Sequence, residues 1–282
     1  MFRGIRTVTA IGLVALSLGS TLAGAAEVLE STFENGMKIG SRAWPISGNA
    51  PVVSTTVARS GKYSMKTSLN RLSSPTSYRT EVSAAGVQNA AVGKDTWYGF
   101  SIYLPDDYKS DPIWEAVTQW HNVPDAGESD ELNPPVALWT NDGVWGISRI
   151  WDTNTKTVKT DYTGRTKYDL GKYQTGKWTD FVFRIRWSPK SDGLMQVWKD
   201  GKLVVDEAGP VGFSDKVGPY MKMGIYKGWR DRYDPVGVVK ARTLYHDEVR
   251  IAGADAKYAD VAPGGESSEE DVKPRPPVVS IE

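Results

Sequence analysis

Residues Thr179 to Trp187 read TDFVFRIRW, and residues Leu194 to Val205 read LMQVWKDGKLVV. In the first stretch Phe181, Phe183, Ile185 and Trp187 take every second position, with Arg184 and Arg186 between them. Side chains of a strand point alternately to opposite faces, so this is a strand with an apolar inner face and a charged outer one. In the second stretch two apolar runs meet at Asp200-Gly201, a pair suited to the positive φ angles of a type I′ turn, which predicts a hairpin. The pattern recurs in both directions. Trp97 to Leu104 alternates, with Tyr98, Phe100, Ile102 and Leu104 on one face. Val136 to Thr140 and Val144 to Trp151 flank Asn141-Asp142-Gly143, a second hairpin, and a last strand is expected near Leu244 to Ile251. No long amphipathic helix and no internal repeat is legible. Many short strands with polar turns predict an all-β fold of two antiparallel sheets, a sandwich or jelly roll.

The ends of the chain read differently. Arg3 and Arg6 precede a mostly apolar stretch from Thr9 to Leu22, followed by the small residues Ala23-Gly24-Ala25. This predicts a signal peptide over residues 1–25 and a periplasmic or secreted protein. Ser17, Gly19, Ser20 and Thr21 break the apolar run, which argues against a membrane anchor. With no cysteine, neither a disulfide framework nor a lipoprotein anchor is possible. Residues 26–261 suffice for one large β domain, and 262–282, rich in Pro, Ser, Glu and Val, predict a disordered tail. Lys plus Arg and Asp plus Glu each number 34, and this balance argues against a nucleic-acid partner. A monomer without membrane partner is expected. The 11 Trp and 13 Tyr suit a wide aromatic core and sugar stacking in a cleft.

Three short motifs carry chemistry. They are Tyr78-Arg79-Thr80-Glu81-Val82, Gln119-Trp120-His121 and Tyr220-Met221-Lys222-Met223-Gly224-Ile225-Tyr226. By the two-residue period Arg79 points with Glu81, Gln119 with His121, and Tyr220 with Lys222 and Tyr226, while Gly224 leaves a gap in that row. On one concave sheet these faces would join a guanidinium, an amide, an imidazole, an ammonium and two phenols. That inventory suits holding a carboxylate and moving a proton beside it, and so an enzyme that acts on an acidic polymer by elimination. Each piece has an ordinary alternative. Arg-x-Glu is commonly a surface ion pair, a single histidine is commonly structural, and a lone tyrosine commonly belongs to a core or rim. His246, beside Asp247 and Glu248, is read as structural.

At these motifs the chain resembles polysaccharide lyases with a β-jelly-roll, concanavalin A-like fold. Alginate lyases of that architecture carry R-[ST]-E-[LV], Q-[IV]-H and Y-x-K-x-G-x-Y strands in the same order. Glucuronan lyases and heparin-lyase-I-like proteins share the jelly roll. Trp97-Tyr98-Gly99-Phe100-Ser101 and His246-Asp247-Glu248-Val249-Arg250 are similar to their texture. The resemblance spans roughly Phe33 to Ile251. Ser83 and Gly228 stand where alginate lyases carry Arg and Gln, and Trp120 where they carry an aliphatic residue. These departures move the expected substrate from alginate to a glucuronate-containing polymer, with alginate or heparin-type chains next.

The resemblance implies a catalytic set of Arg79, Gln119, His121 and Tyr226, with Glu81, Tyr220 and Lys222 as substrate-binding neighbours. Arg79, Gln119 and His121 would neutralise the uronate carboxylate, and Tyr226 would transfer the proton. In glucuronate the C5 hydrogen and C4 oxygen lie on the same side of the ring, and one tyrosine can serve both. Where they lie on opposite sides, His121 is the better base and Tyr226 the acid. Phe33-Glu34-Asn35-Gly36, Ser60-Gly61-Lys62-Tyr63-Ser64 and Asp247 resemble the calcium site of β-sandwich carbohydrate modules. Glu34, Asp247 and the backbone of Gly61 and Lys62 are then the ligands of a structural Ca²⁺, which takes oxygen donors. The alternative is that both acids are ordinary turn or edge residues. No zinc spacing, phosphate-binding loop or organic cofactor is indicated. Two rival functions stay open: a non-catalytic, lectin-like carbohydrate-binding domain, which would not need Tyr226 and Lys222 together, and a glycoside hydrolase. The latter needs two placed carboxylates, and no E-x-D-x-x-E strand is present.

Overall fold

A computed structural model describes residues 26–70, 79–130, 132–227 and 239–265. Its first strands are β1 (Val28–Ser31), β2 (Lys38–Ile39), β3 (Arg42–Ala43), β4 (Ile46–Gly48), β5 (Val52–Ser54), β6 (Ser64–Asn70), β7 (Arg79–Ser83) and β8 (Asp95–Leu104). There follow β9 (Glu115–His121), β10 (Val136–Asn141), β11 (Val144–Trp151), β12 (Gly164–Lys172) and β13 (Lys177–Arg186). The last are β14 (Leu194–Lys199), β15 (Lys202–Ala208), β16 (Tyr220–Lys227) and β17 (Ala241–Ala252). One sheet runs β15-β14-β13-β8-β17-β6-β5, with β1 also on β17; the other runs β12-β11-β10-β9-β16-β7-β4. β2 and β3 form a separate ribbon. Both expected hairpins close on paired positive φ angles, 47° and 86° at Asp142-Gly143 and 49° and 76° at Asp200-Gly201. That is the I′ geometry whose twist matches the flanking strands.

The inner faces meet in an aromatic core. Phe100 and Phe183 of the larger sheet surround Trp120 of the smaller one, with the Trp120 and Phe183 ring centres 4.6 Å apart. Arg184 and Arg186 stay on the outer face, where each donates to Asp95 at 2.7 Å. The expected domain end at 261 needs correction. Ala262 and Pro263 are buried behind the helix α1 (Tyr258–Val261), Ala262 lies in the same apolar cluster as Trp97, and Gly264 N donates to Glu248. The packed body therefore continues past Val261 to Gly264. The expected signal peptide, residues 1–25, and residues 266–282 lie outside the described residues.

His246 is structural, as read from the sequence. It is fully buried between the sheets, with Thr118 Oγ1 3.3 Å from its Nε2. Burial pushes its pKa down to about 3. The unfolded imidazole takes a proton below its ordinary pKa while the folded one stays neutral, so stability is lost as pH falls. From pH 7 to 5 this group removes ~2 kcal/mol. Asp247, raised to about 6 by burial, acts with the opposite sign. The comparison that isolates His246 is a urea melt of wild type and His246→Gln at both pH values. The wild type should lose more stability on acidification, and equal losses would refute the assignment.

β9 is irregular. Thr118 pairs with Leu138 and Met223, Ala116 pairs with Trp139 and Tyr226, and Val117 between them is a bulge residue. Val117 and Thr118 both face the core, which turns Glu115 inward. There Glu115 accepts from Lys227 Nζ at 2.6 Å and Arg242 Nη2 at 2.6 Å. Asp111 accepts from Lys227 at 2.5 Å, and the Arg242 guanidinium lies 4.1 Å from the centre of the Tyr108 ring. Arg242 belongs to the larger sheet and Glu115 and Lys227 to the smaller, so this buried ionic cluster ties the two together.

Candidate active site

β7, β16 and β9 are neighbours in the smaller sheet, and their register sets the site. Tyr220 lies beside His121, Lys222 between Ser83 and Gln119, and Tyr226 between Arg79 and Ala116. The alternate residues Thr80, Val82, Trp120, Met221, Met223 and Ile225 are buried on the inner side. Arg79, Glu81, Gln119, His121, Tyr220, Lys222 and Tyr226 thus share one face. Trp120, the departure in the second motif, serves the core and not the site. Tyr78 and Gly228 lie outside the described residues. Gly224 faces Glu81 with φ 140°, and a Cβ there would stand 2.1 Å from the Thr80 carbonyl oxygen. Only glycine lets β16 pass so close to β7.

Glu81 is the hub, only 2% exposed. Its Oε1 accepts from Gln119 Nε2 at 2.5 Å, and its Oε2 lies 2.8 Å from Lys222 Nζ. Lys222 is itself buried, so Glu81 and Lys222 form a paired foundation under this face. A carboxylate only accepts, which fixes the Gln119 amide with its NH₂ toward Glu81. The second N–H and the carbonyl remain for a ligand.

His121 is half-buried, and its Nδ1–H donates to the Asn122 carbonyl at 3.2 Å. That bond fixes the tautomer and leaves the Nε2 lone pair open. Burial lowers its pKa, and the charges of Lys222 and Arg79 push the same way against Asn122 and Glu81. It is neutral at pH 7. Tyr220 stacks on it with ring centres 6.0 Å apart. Burial and the Glu81 charge raise the Tyr220 pKa, so this phenol keeps its proton. Tyr226 sits at the other end, its ring centre 5.2 Å from the Arg79 guanidinium carbon and 5.9 Å from that of Trp114. Arg79 is exposed and its charge reaches both His121 and Tyr220, so it links the two ends of the site.

Beyond His121, Asp215 and Glu128 face each other. Burial and the neighbouring Glu128 push the Asp215 carboxyl up to about 8, while its proton and the backbone N–H groups of Thr157 and Asp125 hold Glu128 low. Nothing local in the sequence joins Glu128 to its partner at 215. On the other side a cleft of about 210 Å³ opens, lined by Trp114, Ala137, Trp139, Ser148, Arg165 and Lys167 among others. Sequence reasoning missed these residues. Val136 and Leu138 are buried in the core, and the alternation along β10 places Ala137 and Trp139 on the outer face with Gln119.

The expected calcium ligands converge on one turn. Glu34 Oε1 accepts from the N–H groups of Lys62 and Tyr63 at 2.7 and 2.9 Å, and a Cβ on Gly61 would meet it at 2.4 Å. Asp247 Oδ2 accepts from Arg59 N at 2.7 Å and Ser60 N at 3.4 Å. Among the described residues, no group of three or more His, Asp or Glu side chains is placed to hold a metal ion.

A model described as polysaccharide lyase matches residues 32–250. The chain belongs to the polysaccharide lyase family. The lyase is therefore an enzyme acting on a polysaccharide. Its fold is similar to that of endo-β-1,4-glucuronan lyase from the fungus Trichoderma reesei, at 21% identity and TM-score 0.66, covering 85% of this chain and 99% of that one. Cip1, a cellulose induced protein, matches at 16% identity and TM-score 0.51 over 79% and 96% of the two chains. The binding domain of botulinum neurotoxin DC matches at 9% identity and TM-score 0.51, over 84% of the lyase and 50% of that chain. At such identities these likenesses establish the β-sandwich alone. No curated protein sequence matches the lyase.

Proposed function

We propose that the lyase cleaves a uronate polymer by β-elimination, with a glucuronan-like chain leading and alginate or heparin-type chains next. The observation behind this is the Glu81 hub, which holds Gln119 and Lys222 in place beside a neutral His121, with Arg79 and Tyr226 on the same face. Arg79 and the free N–H of Gln119 donate to the substrate carboxylate and stabilise the enolate-like charge that grows on it. The C5–H bond breaks as the base takes its proton. The electron pair becomes the C4–C5 double bond, and the C4–O bond breaks as the leaving oxygen gains a proton. For glucuronate Tyr226 serves both transfers: its phenolate oxygen takes the C5 proton and gives it to the leaving oxygen on the same side of the ring, ending as it began. For a substrate with C5 hydrogen and C4 oxygen on opposite faces, Nε2 of neutral His121 is the base and Tyr226 the acid. Incubation with polyglucuronate, alginate and heparin, followed by the ultraviolet absorbance of unsaturated uronates, tests this reading. Polyglucuronate should give the fastest rise, and no rise on any uronate polymer would overturn the proposal.

Two further readings belong to the same proposal. Secretion rests on the residues 1–25 pattern. A structural Ca²⁺ would be held by Glu34, Asp247 and carbonyls of the Arg59–Tyr63 turn. Asp247 suits a cation, because burial and adjacent Glu248 raise its pKa. Chelator should then lower the melting temperature by several degrees, reversed by added Ca²⁺. An unchanged melt would remove the ion.

A further inference from the structure

The register extends the site across the sheet. One row runs Ser83, Lys222, Gln119, Ala137, Ser148, Lys167. The next runs Arg79, Tyr226, Ala116, Trp139, Gly146, Asp169. In the first, Ala137 and Ser148 make a low floor between Gln119 and Lys167. In the second, the Trp139 ring covers Gly146 so closely that a Cβ there would meet it at 2.0 Å. The indole is thus laid flat against the sheet, with its other side toward the cleft that it lines. Lys167 is exposed and has no ion-pair partner among the described residues. Arg165, two positions along β12, is steadied by the Thr160 carbonyl at 3.3 Å and by the Tyr162 ring at 5.6 Å. These cations lie three strand spacings from Gln119, ~14 Å, farther than one sugar ring spans.

We propose that Trp139, Arg165 and Lys167 form a distal subsite that binds a second uronate of the same polymer chain. The polymer lies across the strands. A ring stacks on Trp139, while Lys167 and Arg165 take its carboxylate as Arg79 and Gln119 take the carboxylate at the reacting sugar. This rests on the uronate reading above and deepens it. Among uronate polymers it makes chain length a determinant of affinity, because short fragments cannot reach both sites. It also accounts for the apolar floor, which would hold a sugar face but offers nothing to a small anion.

Affinity electrophoresis in gels carrying polyglucuronate tests binding without relying on turnover, run cold so that the polymer survives. Wild type should be retarded, with an apparent Kd raised about tenfold in Arg165→Gln/Lys167→Gln and also raised in Trp139→Ala, and Trp139→Phe should retain part of the retardation. A neutral glucan gel should not distinguish wild type from the charge variant. Equal retardation of wild type and both variants, or no retardation of wild type, would overturn the subsite. The elimination reading is judged separately, by unsaturated product. If wild type forms product but the charge variant shows the same KM for long polymer, the lyase reading stands and the distal subsite falls. If wild type is retarded through Trp139 and Lys167 yet forms no product, the subsite stands and the elimination reading falls.

Discussion

Tyr226→Phe is expected to lower kcat by ~10³-fold while leaving polymer affinity nearly intact. The substitution removes one oxygen and keeps the ring. The ring is what packs between Arg79 and Trp114, so fold and stacking should survive. The lost interaction is proton transfer, which belongs to the transition state, so kcat and kcat/KM should fall together. Arg79→Ala should behave differently. It removes carboxylate recognition in the ground state as well, and both KM and kcat should suffer, KM by ~10-fold or more. Tyr220→Phe is the internal control, because a phenol that keeps its proton beside His121 can donate but not act as base. Steady-state kinetics on polyglucuronate separate these outcomes. Near-normal turnover in Tyr226→Phe would shift proton transfer to His121, and collapse in Tyr220→Phe alone would exchange the roles of the two tyrosines.

Glu115→Ala is expected to destabilise the fold by ~3–5 kcal/mol, against a typical domain stability of ~5–15 kcal/mol. Glu115 is fully buried and accepts from both Lys227 and Arg242. Its removal leaves two interior cations sharing Asp111. Guanidinium melts read the effect directly, and a midpoint close to wild type would show that the cluster is not the clamp described here. Adding Lys227→Met should recover part of the loss, since it removes the surplus charge and fills the space with an apolar chain. The cluster also bears on the site, because Lys227 follows Tyr226 and anchors that end of β16.

The strands that build the core were legible because their signal is local. Phe181, Phe183 and Ile185 alternate, and Asp200-Gly201 announces its own turn. The three motifs were legible for the same reason, since two-residue periodicity fixes which of their residues share a face. What could not be read was depth. Nothing local distinguishes Lys222, sealed against Glu81, from Lys167, open to the cleft. The distal cleft also depends on which strands become neighbours, so Trp139, Ser148 and Lys167 share a surface only after β9 to β12 have paired. The Glu128–Asp215 pair needs two segments to meet, and the burial of Ala262 depends on a groove made by Trp97 and Val182. Composition at residue 262 carries no trace of that.

The bulge at Val117 has a consequence for the charge a polymer meets. Under strict alternation Glu115, Val117, Gln119 and His121 would all present to the cleft, and a carboxylate would stand beside Tyr226 in the path of a polyanion. One extra residue reverses the parity of the strand at that point. The acid turns away from the sugar and becomes the counter-ion of Arg242 and Lys227 in the interior. Deleting Val117 would keep that parity, because Ala116 would then follow Thr118 directly, opposite Trp139 and Leu138; regularising the strand with Val117 retained is what would bring the acid out. That slip would unfasten the sheets and at the same time place a repelling charge where the substrate carboxylate has to settle.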